Sequence, residues 1–265
     1  MSTVLDSIVA GVIEDVKARE VSRAELLEQV AIAPKVRDAH AALAKNGMQI
    51  IAEVKRASPS KGELAIIADP AQLAMSYESA GAAVISVLTE KRRFGGSPED
   101  LLEVRKAVNL PVLRKDFTVT EYQVYETRAL GADLILLIVA ALSDAQLSEF
   151  QALSRELGMS VLVEIHNEIE LERALSIGAN IIGVNARNLK TLDINDDAFS
   201  TLLPLIPGDR IRVAESGIST RSQVISAQAA GAKAILVGET LVRAGDPALA
   251  INSLLGRKPA GTVGI

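Results

Sequence analysis

Glu53, Lys55 and Arg56 stand together in E-V-K-R, directly after the apolar run Ile50-Ile51-Ala52. Residues two apart on a strand share a face, so the Glu53 carboxylate and the Lys55 ammonium point the same way. If that face is interior, burying both is costly unless they pair or do chemistry; on an edge strand they would simply be solvated. Ser58-Pro59-Ser60-Lys61-Gly62 then breaks the strand into a small-residue, donor-rich loop suited to an anion. The design recurs along the chain. Thr89-Glu90 with Phe94-Gly95-Gly96-Ser97, Arg114-Lys115-Asp116-Phe117, Glu164, Asn185 with Arg187, Glu215-Ser216-Gly217 and Gly238-Glu239-Thr240 each follow a short aliphatic run. Charged residues thus collect where the strands end, and a recurrence at six strands makes coincidence a poor account.

Such residues need a scaffold that collects strand ends. From Ile50 onward, β-branched or aliphatic runs alternate with helical patterns. The spacing predicts strands at Ile50–Val54, Ala83–Leu88, Val112–Leu113, Leu134–Ile138, Val161–Glu164, Ile181–Val184, Ile211–Ala214 and Ala234–Val237. Helices are predicted near Pro70–Ala80, Pro98–Val108, Glu121–Leu130, Asp144–Leu157, Glu168–Ile177, Asp196–Leu203 and Arg221–Ala230. Gly81-Ala82, Gly131-Ala132, Gly178-Ala179 and Gly231-Ala232 each end a helix and launch a strand, at intervals of roughly 50 residues. Glycine there is the left-handed helix stop. Strands apolar on both faces and alternating with helices mean a parallel sheet covered by helices. Eight such units favour an α/β fold of the (β/α)8 TIM-barrel type over an open doubly wound sheet, and no Gly-x-Gly-x-x-Gly follows the first strand. In a barrel the site lies at the carboxyl ends of the strands, where these polar residues fall. Small residues after strands seven and eight, Ser216-Gly217 and Gly238-Glu239, suit a phosphate.

Ahead of the repeat, Val4-Leu5, Ile8-Val9, Val12-Ile13 and Val16 recur at helical spacing, and further helices are predicted over Arg23–Ala31 and Asp38–Lys45. The expectation is one domain over residues 1–265: a helical extension (1–47) covering one barrel end, the barrel body (48–257) and a tail (258–265).

Composition narrows the function. The chain has 265 residues, 49% of them hydrophobic but only 3% aromatic, so the core is aliphatic. It has no cysteine, which excludes disulfides and thiolate chemistry and fits a reducing cytosol. A formal net charge of −5 argues against non-specific nucleic-acid binding. No apolar run is long enough to span a membrane, and Met1–Ala10 lacks the pattern of a signal peptide. These features lead us to expect a cytoplasmic protein, a monomer or weak oligomer, that takes a small phosphorylated ligand and has neither nucleic-acid nor membrane partners. With no close histidine pair, a metal site is not expected.

E-V-K-R-A-S-P-S-K-G (53–62), L-R-K-D-F (113–117), L-V-E-I-H (162–166), I-G-V-N-A-R-N-L (182–189), A-E-S-G-I (214–218) and V-G-E-T-L (237–241) occur in this order. Together they resemble the indole-3-glycerol phosphate synthase family of tryptophan biosynthesis, and the amino-terminal extension resembles that family's additional helix. The resemblance implies a carbon–carbon lyase that closes the indole ring of 1-(2-carboxyphenylamino)-1-deoxyribulose 5-phosphate with loss of carbon dioxide and water, without cofactor. It implies Lys115 as general acid and Glu164 as general base. Lys55 matches a second lysine near the substrate carboxylate, Glu53 and Glu215 positioning carboxylates, and Asn185 a residue supporting the intermediates. Arg187 matches a substrate anchor, while Ser58, Ser60, Phe94, Phe117 and Leu136 match the anthranilate pocket. Ser216, Gly217, Gly238 and Glu239 match the phosphate loops.

Further expectations attach to single residues. Two neighbouring, partly desolvated lysines should titrate below the usual lysine range. Glu239 sits where a serine can occur, so its backbone N–H should serve the phosphate while its side chain turns away. His40 should be structural or exposed, and His166 shares the face of Glu164. The loop Arg56–Asp69 should be mobile when empty and order over a ligand. Two rivals remain: another phosphate-binding barrel, such as the phosphoribosylanthranilate isomerase type, which is expected to need a cysteine, and a catalytically silent barrel that only binds.

Overall fold

The computed structural model describes residues 3–257; the expected tail, 258–265, lies outside the described residues. The strands are β1 (Gln49–Val54), β2 (Ala57–Ser58), β3 (Gly62–Glu63), β4 (Val84–Leu88), β5 (Val112–Lys115), β6 (Leu134–Ile138), β7 (Ser160–Ile165), β8 (Ile181–Asn185), β9 (Ile211–Glu215) and β10 (Ala234–Val237). The helices are α1 (Val4–Arg19), α2 (Arg23–Ile32), α3 (Ala39–Ala44), α4 (Pro70–Ser79), α5 (Lys91–Phe94), α6 (Pro98–Ala107), α7 (Glu121–Ala129), α8 (Asp144–Glu156), α9 (Glu168–Ser176), α10 (Ala198–Leu202), α11 (Arg221–Ala229), α12 (Glu239–Val242) and α13 (Pro247–Leu255). All strands except the β2–β3 hairpin close into one parallel barrel, ordered β1-β10-β9-β8-β7-β6-β5-β4. This is the (β/α)8 barrel. Among the described residues no helix is long and apolar enough to cross a membrane.

Local sequence explains why the units start and stop where they do. Asp69-Pro70, Ser97-Pro98 and Asp246-Pro247 each place a capping side chain before a proline in the first turn, where a missing N–H costs nothing. Thr120 with Gln123, Ser143 with Gln146 and Thr220 with Gln223 form reciprocal capping boxes. The repeat glycines 81, 131, 178 and 231 all have positive φ, as the left-handed stop requires. Between these signals the strands are buried on both faces; in β6 all five residues are apolar and buried. One side fills the barrel and the other meets the helices.

Four strands run further than their apolar runs. β5 continues through Lys115, β7 through Ile165, β8 through Asn185 and β9 through Glu215. Ladder hydrogen bonds are made by the backbone whatever the side chain: Leu88 registers with Lys115 and Asn185 with Glu215. The polar residues therefore ride on strands, not on loops. Conversely, the helix expected over Asp196–Leu203 is only Ala198–Leu202, followed by a 3₁₀ turn at Leu203–Leu205, because Pro204 cannot continue the α-helical ladder.

The extension does more than cover an end. α3 packs on β4 and β9 at the base of the barrel, and α2 packs along α7. α1 reaches the opposite rim, where Arg93 donates to Ser7 Oγ at 2.7 Å and Arg92 pairs with Asp15 at 2.7 Å. At its end, Arg19 grips Glu126 of α7 with two hydrogen bonds of 2.7 and 3.0 Å. The β1–α4 connection has structure of its own. Ala57–Ser58 pairs with Gly62–Glu63 in a hairpin, and Arg56 is tied to Asp100 and to the carbonyl of Ile67.

Candidate active site

Alternation along β5 sends neighbouring residues to opposite sides of the barrel wall. Arg114 faces outward and is fully buried. It donates to Thr89 (3.0 Å), Thr127 (3.1 Å) and Asp116 (3.1 Å) and pairs with Glu126 at 2.8 Å. Asp116 in turn accepts from Thr89 at 2.6 Å and from the Phe117 N–H at 2.8 Å. Lys115, between them, faces the barrel mouth from a strand end held on both sides.

Three buried carboxylates and two ammonium groups meet at that mouth. Lys115 Nζ lies 3.2 Å from Glu164 Oε2 and 3.6 Å from Glu215 Oε2. Lys55 Nζ lies 3.1 Å from Glu53 Oε1. Asn185 Nδ2 donates to Glu164 Oε1 at 3.0 Å, and the Oδ1 of Asn185 accepts from the Arg187 N–H at 2.9 Å. Neither oxygen of Glu215 has a hydrogen-bond partner among the described residues. Two glycines make room for these carboxylates. A Cβ at Gly183 would collide with Glu215, and one at Gly238 with Glu53.

The charges sort themselves by environment. Burial pushes the Glu164 carboxyl up, but Lys115, His166 and the hydrogen bond from Asn185 outweigh it and hold Glu164 below the usual range. Burial, then the charge of Glu164, push Glu215 up to about 8. The two carboxylates beside one ammonium are thus pushed in opposite directions, Glu164 down and Glu215 up. Lys115 corrects the expectation of a lowered lysine. Burial does favour its neutral amine, but Glu164, Glu215 and Glu53 outweigh that and hold the ammonium above the ordinary lysine range.

The site residues that the family resemblance implied all line one cavity of about 600 Å³, whereas Arg56, Thr89, Glu90, Arg114 and His166 do not line it. Its two ends differ. On one side Phe94 and Phe117, with ring centroids 6.2 Å apart, join Leu136 in an apolar wall. The Oγ of Ser58 is buried beside this wall without a partner among the described residues. On the other side lie Ser216-Gly217 and Gly238-Glu239. Ser216 and Gly217 have φ of 69° and 74°, and a left-handed serine costs on the order of 1–3 kcal/mol, strain characteristic of ligand loops. The Glu239 side chain turns to Arg243 at 3.6 Å.

Residues 5–254 match the protein family described as indole-3-glycerol phosphate synthase. The chain is 57% identical over 270 residues to the indole-3-glycerol phosphate synthase of Paenarthrobacter aurescens, covering 99% of this chain and 98% of that one. It is 55% identical to the protein of the same name from Micrococcus luteus, covering 95% and 96%. The crystal structure of a 3-hexulose-6-phosphate synthase superposes with a TM-score of 0.60 at 17% identity, over 79% of this chain and 99% of that one, which shows the fold alone. The chain belongs to the indole-3-glycerol phosphate synthase family.

Some residues lining the cavity carry no readable signal in the sequence. Ile8 of α1 reaches the cavity only because the extension climbs to the rim. Leu189 and Ile194 line it because the β8–α10 connection folds back through the Arg187–Ile194 bridge. Two residues that the sequence reading missed had a signal that could have found them, Arg243 on the cavity wall and Gly183 behind Glu215. Arg243 lies one helical turn beyond Glu239, and a glycine inside a strand, as at Gly183, marks a close approach. His40 is exposed.

Proposed function

We propose that this site closes the indole ring of 1-(2-carboxyphenylamino)-1-deoxyribulose 5-phosphate, forming indole-3-glycerol phosphate, carbon dioxide and water. The observation that carries the reading is the Lys115 ammonium set between Glu164 and Glu215, with an aromatic wall on one side and the small-residue loops on the other. Such a cavity suits a molecule with an aryl group at one end and a phosphate at the other.

Phe94, Phe117 and Leu136 take the aryl ring. Ser58, Ser60 and Lys55 face its carboxylate, and Arg187 anchors the chain of hydroxyls. Ser216, Gly217, Gly238 and the backbone of Glu239 hold the phosphate. Lys115 gives a proton to the ketone oxygen as the ring carbon bearing the carboxylate attacks the carbonyl carbon. The carboxylate leaves as carbon dioxide, and its bonding electrons restore the aromatic ring. Lys55 protonates the new hydroxyl, which departs as water. Glu164 removes a proton from the neighbouring carbon to complete the indole. Two protons are delivered and one is taken, which balances the loss of a carboxylate and a water. The bonding electrons are redistributed within the substrate itself and the protein supplies and removes only protons, so the reaction calls for neither metal nor organic cofactor. Glu53 and Glu215 orient the lysines, and Asn185 steadies Glu164. The reading has the enzyme as a cytoplasmic monomer or weak oligomer.

The test is indole fluorescence on mixing the protein with the carboxyphenylamino-deoxyribulose phosphate. Product with wild type and a loss of roughly 10²-fold or more in Lys115→Ala and Glu164→Gln is expected. Turnover surviving in both variants would move the acid and base elsewhere, with Lys55 first in line. Tight binding of the ester without turnover would leave a barrel that only binds.

A further inference from the structure

Glu164 and Glu215 are both buried glutamates beside the same ammonium, yet their surroundings differ. Glu164 has Lys115 on one oxygen and Asn185 on the other, and His166 Nε2 stands 3.5 Å from that second oxygen. This Nε2 is buried and makes no hydrogen bond among the described residues. The ring is held from behind. His166 Nδ1 lies 3.0 Å from Glu170 Oε2, and that same oxygen accepts from the His166 backbone N–H at 2.8 Å. The other oxygen of Glu170 accepts from Asn167 Nδ2 at 2.8 Å. Glu170 is thus fixed in the first turn of α9, where a carboxylate is also favoured by the helix N-terminus. Glu215 has no comparable support.

We propose that His166, locked in place by Glu170, is the positioning residue that makes Glu164 rather than Glu215 the ionised carboxylate of the pair. An imidazolium here donates its Nδ1–H to Glu170 and turns its other nitrogen toward Glu164 at 3.5 Å, so it acts on Glu164 through its charge, which is worth more to the nearer member of the pair. The titratable groups facing His166 are Glu164 on β7, the strand that ends just before it, Glu170 on α9 and, more distantly, Lys115 on β5. The neighbouring strands bring Ile138 and Asn185 beside Glu164, and neither titrates. Burial works against a charged His166, and Glu170 and Glu164 outweigh it, raising the imidazole above its ordinary value. The two carboxylates respond in step: Glu170 and Glu164 are both lowered, while Glu215, out of reach of the imidazolium, is raised. His166 need not touch substrate to act. It decides which carboxylate carries a proton, and so which is free to accept one.

The inference rests on Glu164 being the base, and two readouts separate its failure from a failure of that reading. Carboxyl ¹³C NMR, assigned with Glu164→Gln and Glu215→Gln, is expected to show Glu164 ionised and Glu215 protonated at neutral pH. In His166→Gln, which keeps a similar size and one amide donor, the Glu164 titration should move up by roughly one unit. The acid limb of kcat/KM should move with it, leaving KM nearly unchanged. Glu170→Gln should shift both the same way by less. The chain has only two histidines, so a ring-proton titration with His40→Gln as the assignment control should place His166 above the ordinary histidine value of 6.5. A His166→Gln variant with unchanged Glu164 and Glu215 titrations overturns the proposal, as does a His166 that titrates below the ordinary value of 6.5. Wild-type protein that makes no indole product overturns the proposed reaction instead, and the carboxyl titrations still decide the role of His166.

Discussion

Glu215 at the mouth of the barrel and Asp133 at its base are both fully buried carboxylates, and they have opposite surroundings. Asp133 accepts from the Arg37 N–H at 2.7 Å, from Arg105 at 3.1 Å and from the Val112 N–H at 2.8 Å. It ties the extension to two strands, and its hydrogen-bonding capacity is filled. Glu215 has no hydrogen bond among the described residues, and its carboxyl is pushed up to about 8 by burial and a neighbouring charge. The base of the barrel spends its buried charges on holding the chain together. The mouth pairs Glu53 and Glu164 with lysines but crowds a third carboxylate, Glu215, against the same ammonium without a hydrogen bond among the described residues, which is unfavourable for folding and useful for moving protons.

The largest expected effect that probes this contrast is on rate. Lys115→Ala should lower kcat roughly 10²–10⁴-fold, with little change in melting temperature, measured by indole fluorescence and by calorimetry. Loss of stability on that scale would mean that the mouth is a structural cluster after all. Asp133→Ala should do the reverse. Breaking a buried pair and leaving two N–H donors without their acceptor should cost about 3–5 kcal/mol in denaturant unfolding, while kcat of the folded fraction stays near wild type.

Glu215→Gln sharpens the comparison through pH. The folded-state carboxyl titrates near 8 and the ordinary value is 4.5. The native state therefore binds more protons than the unfolded state between those values, and stability from this group falls as pH rises through that window. The variant should melt a few degrees above wild type, with a gain that is larger at the upper end of the window and vanishes below its lower end. The smallest effect concerns the loops at the mouth. Arg56 is clasped by Asp100 and Ile67, whereas Lys61 at the hairpin tip is exposed. Trypsin should cut first at Lys61, and a substrate analogue should slow that cleavage. Cutting at the base of the barrel before Lys61 would erase the difference between the two ends.

Much of the architecture was legible because its signals are local. A cap, a proline, a positive-φ glycine and an apolar run act within a few residues, so the alternation of strand and helix and the barrel could be read in order. The rim residues were legible for a related reason. Polar side chains directly after apolar runs fall at carboxyl strand ends, where a barrel gathers them. The chemistry between them was not legible. Lys115 was expected to lose its proton affinity by desolvation, and it gained instead because three glutamates from three other strands surround it. The β2–β3 hairpin and α5 were missed because they are short and polar, below the length at which periodicity speaks.

Sequence alone determined that this chain is a repeated strand–helix unit with an extension, that its core is aliphatic, and which residues stand at the strand ends. Tertiary structure decided which of them touch. Lys115 and Glu164 are 49 residues apart and meet at 3.2 Å only because the barrel closes. Closure also brought Ile8 to the cavity and set Glu215 over Gly183. Charge interactions depend steeply on distance and on exclusion of water. The identity of an ionisable residue is therefore written in the sequence, but its protonation belongs to the folded site.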